Sequence, residues 1–409
     1  MRIIDPAQIA SLAVPRSATP RVVSAGNRAT PWRLLEAVDK ALPEYRLFML
    51  GAQRGIPIRD GVRHETPFVG PGMRGLPTLD YLPARLSLVP RMLATTHRPE
   101  LVLLHVAPPR NGRLSLGIEA NVLPAAIEQC RAHGGLILAQ INPLMPYTYG
   151  DAQIRLDSVD LAIEAEEPLA APEARAAAQP EVFARIGERV ATMIADGSTL
   201  QVGIGAVPDA VLAALTRRRG LRVWSEMISD GILGLEQSGA LDETTKLTTS
   251  FLSGSAELYA WVDGNPRIRM LRTETVNDPS WISSQPSMTS INTALQVDLY
   301  AQANASYARG LIHSGFGGQS DFVVGALHSP GGQALIALPA WHGGSASSTI
   351  VGRLPAPATS FQHTAVVTEI GRADLFGRSQ HDQAANLIEH AARPDARARL
   401  REQAVMLGL

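Results

Sequence analysis

Glu226 stands where a short apolar segment, Val223-Trp224-Ser225-Glu226-Met227-Ile228-Ser229-Asp230-Gly231, runs into a glycine-bounded turn. A carboxylate held rigidly and partly desolvated on such a segment attacks better than a solvated surface Glu, which makes Glu226 a candidate nucleophile. A strand-end acid making a hydrogen bond or salt bridge is the plainer reading of the same residues. Two glycine loops accompany it. Gly203-Ile204-Gly205, followed by Pro208, opens a helix after a strand, which lets backbone N–H groups approach a phosphate or carboxylate; a purely structural turn is the alternative. Gly315-Phe316-Gly317-Gly318, followed by Gln319-Ser320-Asp321, holds too many glycines for a stable strand. Consecutive N–H groups at Gly317 and Gly318 can point at one oxygen, as a tetrahedral oxyanion requires, whereas a tight turn packed on a helix needs no ligand. Asn292, in Thr289-Ser290-Ile291-Asn292-Thr293, has the donors to reach a carbonyl or the Glu226 carboxylate, or to be satisfied by neighbouring backbone. Glu369, at the end of an apolar run, reads as a capping or salt-bridge acid.

Other chemistries lack support. A dinucleotide fingerprint wants a third glycine where Pro208 stands, so NAD is not expected. The ten histidines show no H-E-x-x-H spacing and no G-x-S-x-G elbow is present, so neither a metal nor a serine nucleophile is indicated. Arg217-Arg218-Arg219 ends a helical pattern, where cations offset the helix dipole.

The elements that must position these residues alternate. In the first half, Thr30-Pro31 reads as an N-cap and first-turn pair ahead of Leu34, Leu35, Val38 and Leu42 at helical spacing. Leu47–Leu50, Leu101–Val106 and Leu136–Ile141 read as buried parallel strands. Cys130 falls in a helical run, and residues 52–95, rich in Gly, Pro and Arg, resist assignment. Residues 164–180 lose apolar periodicity and gain Ala, Pro and Glu, as an interdomain linker does. The second half then predicts a helix over 181–195, a strand over 199–204, a helix over 208–218, a strand over 221–225, and later strands near Thr249 and Ile268 and over 334–338 and 365–368. The fold expected is α/β, in two α/β domains with mainly parallel sheets, covering 1–180 and 181–409.

Composition agrees. A chain of 409 residues exceeds one ordinary core and suits two domains. With 45% hydrophobic and 18% charged residues and a formal net charge of −1, neither a nucleic-acid nor a membrane partner is indicated. One cysteine forms no internal disulfide and points to a cytoplasmic setting. No targeting segment or apolar run of membrane-spanning length is read.

Leu200 to Leu212, the Glu226 segment, Ser290-Ile291-Asn292, Val297-Asp298-Leu299, Gly315 to Ala326 and Val366-Val367-Thr368-Glu369 together resemble the acetyl-CoA hydrolase/transferase family, whose members include 4-hydroxybutyrate and succinate CoA-transferases. The resemblance is strongest over 196–370. It implies two domains of the CoA-transferase/NagB-like kind and a ping-pong transfer of CoA from an acyl-CoA to a small carboxylate, with Glu226 carrying a glutamyl-CoA thioester. Gly317, Gly318 and Asn292 would assist catalysis, and Gly203, Ile204, Gly205, Gly315, Phe316, Gln319 and Asp321 would bind coenzyme A. No metal or NAD is implied, and a homodimer or higher homo-oligomer is. A thioester hydrolase using the same Glu, and a catalytically silent acyl-CoA-binding protein, are the alternatives. Trp224 stands where the family commonly has His, Ala301 where it has Gly, Trp341-His342 where small residues are frequent, and Arg110 and Arg113 replace an acidic stretch.

Overall fold

The computed structural model describes residues 1–12, 15, 17–171, 179–342, 347–355, 358 and 362–409. The predicted linker over 164–180 lies partly outside them, at 172–178. The chain divides into two compact units: Met1–Pro172 with Leu247–Val276 and Ile312–Gly317, and Glu173–Lys246 with Asn277–Leu311 and Gly318–Leu409. A single cut at 180/181 therefore leaves out two later segments that belong to the first unit.

The first unit is built on a sheet of β1 (Arg2–Ile3), β2 (Arg21–Ser24), β3 (Tyr45–Phe48), β4 (Val62–Thr66), β5 (Leu79–Tyr81), β6 (Leu101–Arg110), β7 (Arg113–Ser115), β8 (Leu136–Ile141), β9 (Gln153–Arg155) and β10 (Leu161–Glu164). Its order is β1-β10-β8-β6-β2-β3-β4-β5, with β7 joined to β6 and β9. Every pairing along that path is parallel. Residues 52–95, unassigned from sequence, supply β4 and β5. Leu101–Val106 is buried throughout, which is why it reads as an unbroken apolar run rather than an alternation. His105 is the polar exception; burial pushes its imidazole down to about 4, and Asn142 Nδ2 approaches its Nε2 at 3.0 Å.

Helix α1 (Trp32–Ala41) seals one face with Leu34, Leu35 and Val38, packed against Val22, Leu47, Leu101 and Leu103. The Thr30 cap is corrected. Pro31 occupies the cap position without a side-chain bond, and the buried Thr30 Oγ1 has no hydrogen-bond partner. The Leu34 N–H donates instead to Gln140 Oε1 at 3.1 Å, from a residue 106 positions away on β8. Tertiary structure thus supplies the acceptor that a local cap would have offered. Cys130 is buried in α2 (Leu123–Ala132).

Strand order reverses between β2 and β6, since the chain leaves β2 toward β3 and returns on its other side. Crevices at the carboxyl ends of such strands are where open α/β sheets bind ligands. In this unit the place is filled by Glu119, only 2% exposed. Its Oε1 accepts from the Gly26 N–H at 3.1 Å and from Asn121 Nδ2 at 3.0 Å. Burial pushes this carboxyl up to about 7 against those two bonds and a weaker pull from Asn27.

The second unit repeats the plan on a smaller sheet: β11 (Thr199–Val202), β12 (Arg222–Val223), β13 (Met288–Asn292), β14 (Gln333–Ala337), β15 (Ala365–Val367) and β16 (Arg372–Asp374). The order is β12-β11-β13-β14-β15-β16, parallel except for the last pair. Helices α3 (Pro180–Thr192) and α4 (Ala206–Ala214) follow the predicted pattern, α3 burying Ile186 and Val190. Val297, Leu299, Ile336, Leu338, Val366, Leu387 and Leu400 form its core, each worth about 1.5–3 kcal/mol when removed from water. Among the described residues no helix is long and apolar enough to cross a membrane.

Candidate active site

The second sheet also reverses order, between β11 and β13. Glu226 lies just beyond β12, the strand next to β11. β12 is short, yet the chain beyond it stays bound to β11: the Trp224 N–H donates to Leu200 O at 3.1 Å, and Ser225 Oγ donates to Val202 O at 3.2 Å while accepting from the Val202 N–H at 3.4 Å. The ladder pairs Thr199 with Arg222 and Leu200 with Val223, so its continuation brings Glu226 level with Gly203. The predicted strand over 221–225 is thereby half ladder and half side-chain clip. A hydroxyl that replaces ladder bonds holds the segment extended and leaves the next residue projecting at the sheet's carboxyl edge.

Asn277, Gly318 and Asp321 act on the Glu226 carboxyl. Asn277 Nδ2 donates to Oε2 at 2.8 Å. Gly318 approaches so closely that a Cβ there would lie 1.9 Å from Oε2 and 2.4 Å from Asn277 Nδ2, and would displace both. Gly318 is also the cap residue of α6 (Gln319–His328), whose amino end carries partial positive charge. Asp321, in the first turn of α6, is fully buried. Burial pushes the Glu226 carboxyl up to about 7; the Asn277 bond pulls the other way, and the Asp321 charge adds to the rise. The residue keeps part of its surface open. Near neutral pH, then, Glu226 has an appreciable carboxylate fraction that is poorly solvated, which is an attribute of an attacking group.

The predicted residues fall in several places. Gly315, Phe316 and Gly317 belong to the first unit and Gly318, Gln319 and Asp321 to the second. A Cβ at Gly315 would meet Pro67 O at 2.4 Å, and Gly317 takes φ +56° beside the Phe68 ring. Of the pair expected to serve one oxyanion, Gly318 is the one at Glu226. Asn292 is not on the carboxylate: its Nδ2 donates to Ser290 Oγ at 2.8 Å and to Gln201 Oε1 at 3.2 Å, cross-bracing β11 and β13. The amide that reaches Glu226 is Asn277, which sequence reasoning missed, because Asn277-Asp278-Pro279 reads only as a helix start. Asp278 does cap α5 (Pro279–Ser283), accepting from the Ser280 N–H at 2.7 Å. Gly203, Ile204 and Gly205 leave β11 directly after the residue that clips Ser225, and Ile204 is 58% exposed. Glu369 Oε2 accepts from the Ala340 N–H at 2.7 Å, a structural bond.

Residues 254–404 match the family described as the acetyl-CoA hydrolase/transferase C-terminal domain. The chain is 35% identical over 395 residues to the 4-hydroxybutyrate coenzyme A transferase of Clostridium kluyveri, covering 91% of this chain and 90% of that protein. It belongs to the acetyl-CoA hydrolase/transferase family. Another family relative, the succinyl-CoA:acetate/propanoyl-CoA:succinate CoA transferase of Fasciola hepatica, is 34% identical, covering 93% of this chain and 83% of that protein. Among solved structures, RipA from Yersinia pestis superposes with a TM-score of 0.91 at 26% identity, covering 100% of this chain and 98% of that one.

The positions read from the sequence as departures from the family pattern have distinct settings. Arg110, at the tip of the β6–β7 hairpin, bonds Asp263 at 3.0 Å and lies over the Tyr147 ring, 4.9 Å from its centroid. Trp341 faces Arg393, 4.3 Å away. Trp224 is the departure nearest Glu226 in the chain, and it stacks on Trp281.

Proposed function

We propose that this enzyme moves CoA between an acyl-CoA thioester and a small carboxylate, with Glu226 as the carrier. The Glu226 carboxylate attacks the thioester carbonyl, forming an acyl-glutamyl anhydride and releasing CoA thiolate. The thiolate attacks the Glu226 carbonyl, giving a glutamyl-CoA thioester and freeing the first carboxylate. An acceptor carboxylate reverses both steps and leaves as the new acyl-CoA. A carboxylate suits this role because its anhydride and thioester both stay activated, whereas a serine ester would trap the group.

The observation that carries this reading is the Glu226 carboxyl, desolvated and gripped by Asn277 at 2.8 Å. As thiolate adds to the Glu226 carbonyl, negative charge collects on the oxygen that already faces the Asn277 amide and the start of α6, a placement worth ~3 kcal/mol per good donor. CoA binding along the Gly203-Ile204-Gly205 loop would supply remote binding energy for the reacting centre. Cytoplasmic location and a homodimer or higher oligomer complete the proposal; burial pushes the Cys130 thiol up to about 12, which leaves it inert.

Intact-mass spectrometry after incubation with acetyl-, propionyl-, butyryl- and succinyl-CoA tests it. A CoA-thioester adduct on the wild type, absent from Glu226→Gln and discharged by added carboxylate, is the expected result. Free CoA accumulating without any acceptor would make water the acceptor and the enzyme a hydrolase.

A further inference from the structure

Trp224 lies two residues before Glu226, on chain tied to β11 through its own N–H to Leu200 O and through Ser225 Oγ to Val202. Asn277 and Trp281 are four apart across the start of α5. These two couples meet as two rungs. The Trp224 and Trp281 rings stack with centroids 6.3 Å apart and planes 14° from parallel, and Asn277 Nδ2 donates to Glu226 Oε2. Trp224 is 5% exposed and Trp281 53%, so the stack pins an outer ring to an inner one.

We infer that the Trp224–Trp281 stack is a positioning brace, which sets the approach of the Asn277 amide to the Glu226 carboxylate. Helix α5 spans five residues and has little stability of its own. On its other side Ile282 presses on Gly325 of α6, where a Cβ would come within 2.5 Å of Ile282 Cβ. Held between Trp224 and α6, the start of α5 has one place to present Asn277. An aromatic pair adds stability beyond its buried area to a helix too short to hold itself, so losing the outer rung loosens the inner one. The charged group acting on Glu226 from α6 is Asp321; Asp278 of the α5 cap is engaged with Ser280.

The inference rests on Glu226 being the nucleophile, and its test reads Glu226 with and without turnover. The titration of the Glu226 carboxyl carbon is followed by ¹³C NMR in protein labelled at glutamate and assigned with Glu226→Gln, alongside kcat and KM for acyl-CoA. Since the Asn277 bond lowers the Glu226 midpoint, Trp281→Ala and Asn277→Ala should each move it upward, by about half a unit or more. Each should cut kcat by about tenfold with KM within about twofold. Trp281→Phe, keeping a flat ring, should stay near wild type, and Trp281→Ala combined with Asn277→Ala should go no further than Asn277→Ala alone. Trp281→Leu, which fills space without stacking, replaces the alanine variant if that one unfolds. A wild-type midpoint in Trp281→Ala or Trp281→Leu, or additive effects in the double variant, would overturn the brace while leaving the transferase reading intact. Shifted midpoints with no glutamyl adduct on the wild type would do the reverse.

Discussion

Glu119 and Glu226 each belong to a unit built on a sheet whose strand order reverses, and burial pushes both carboxyls up to about 7. Their surroundings differ in what they leave free. Glu119 is closed in, with Oε1 holding a backbone N–H and an amide of its own unit. Glu226 is partly open, with Asn277 Nδ2 on its Oε2 and a glycine pressed against the same oxygen. A raised pKa is therefore no sign of catalysis by itself. Access, together with a donor placed for the charge that develops, is what separates the proposed nucleophile from the buried brace.

The widest separation should come from swapping each carboxyl for its amide. Glu226→Gln is expected to lower kcat by about 10⁴-fold or more, while Glu119→Gln retains turnover; steady-state kinetics on both variants checks this, and equal losses would erase the distinction. Next in size is Gly318→Ala, whose Cβ would lie 1.9 Å from Glu226 Oε2. It should cost about 10²-fold in turnover with a native melting curve. Gly317→Ala, beside Phe68 at φ +56°, should instead lose about 1–2 kcal/mol of stability in urea titrations.

Stability against pH sharpens the Glu119 side. Its folded value of about 7 lies above the ordinary 4.5, so the folded protein holds that proton more tightly than the unfolded chain. The stability it supports is complete below about 4.5 and is lost as pH rises through about 7, a span of ~3 kcal/mol. Urea unfolding should therefore show Glu119→Gln close to wild type at pH 5 and more stable than wild type at pH 8; parallel curves would mean Glu119 titrates normally. The smallest effect belongs to Asn292→Ala, which removes bonds to Ser290 and Gln201. It should lose about 1 kcal/mol in thermal unfolding and leave turnover near wild type.

Much of this molecule was legible in the chain itself. Runs such as Leu101–Val106 and Leu136–Ile141 announce buried parallel strands because both faces are covered, and Ile186 and Val190 announce a helix because one face is. Glu226 could be singled out since its neighbours place an acid at the end of an apolar segment. What tertiary structure alone decided is which groups meet. Asn277 reaches Glu226 across 51 residues, Gln140 takes the Leu34 N–H at the start of a helix that Thr30 was expected to cap, and Asn292 turns to Gln201 instead of the carboxylate. Periodicity and turn chemistry act within one or two turns of chain, so sequence encodes segments. Strand order and helix packing bring distant segments together, and the partner of a functional side chain is a property of that packing.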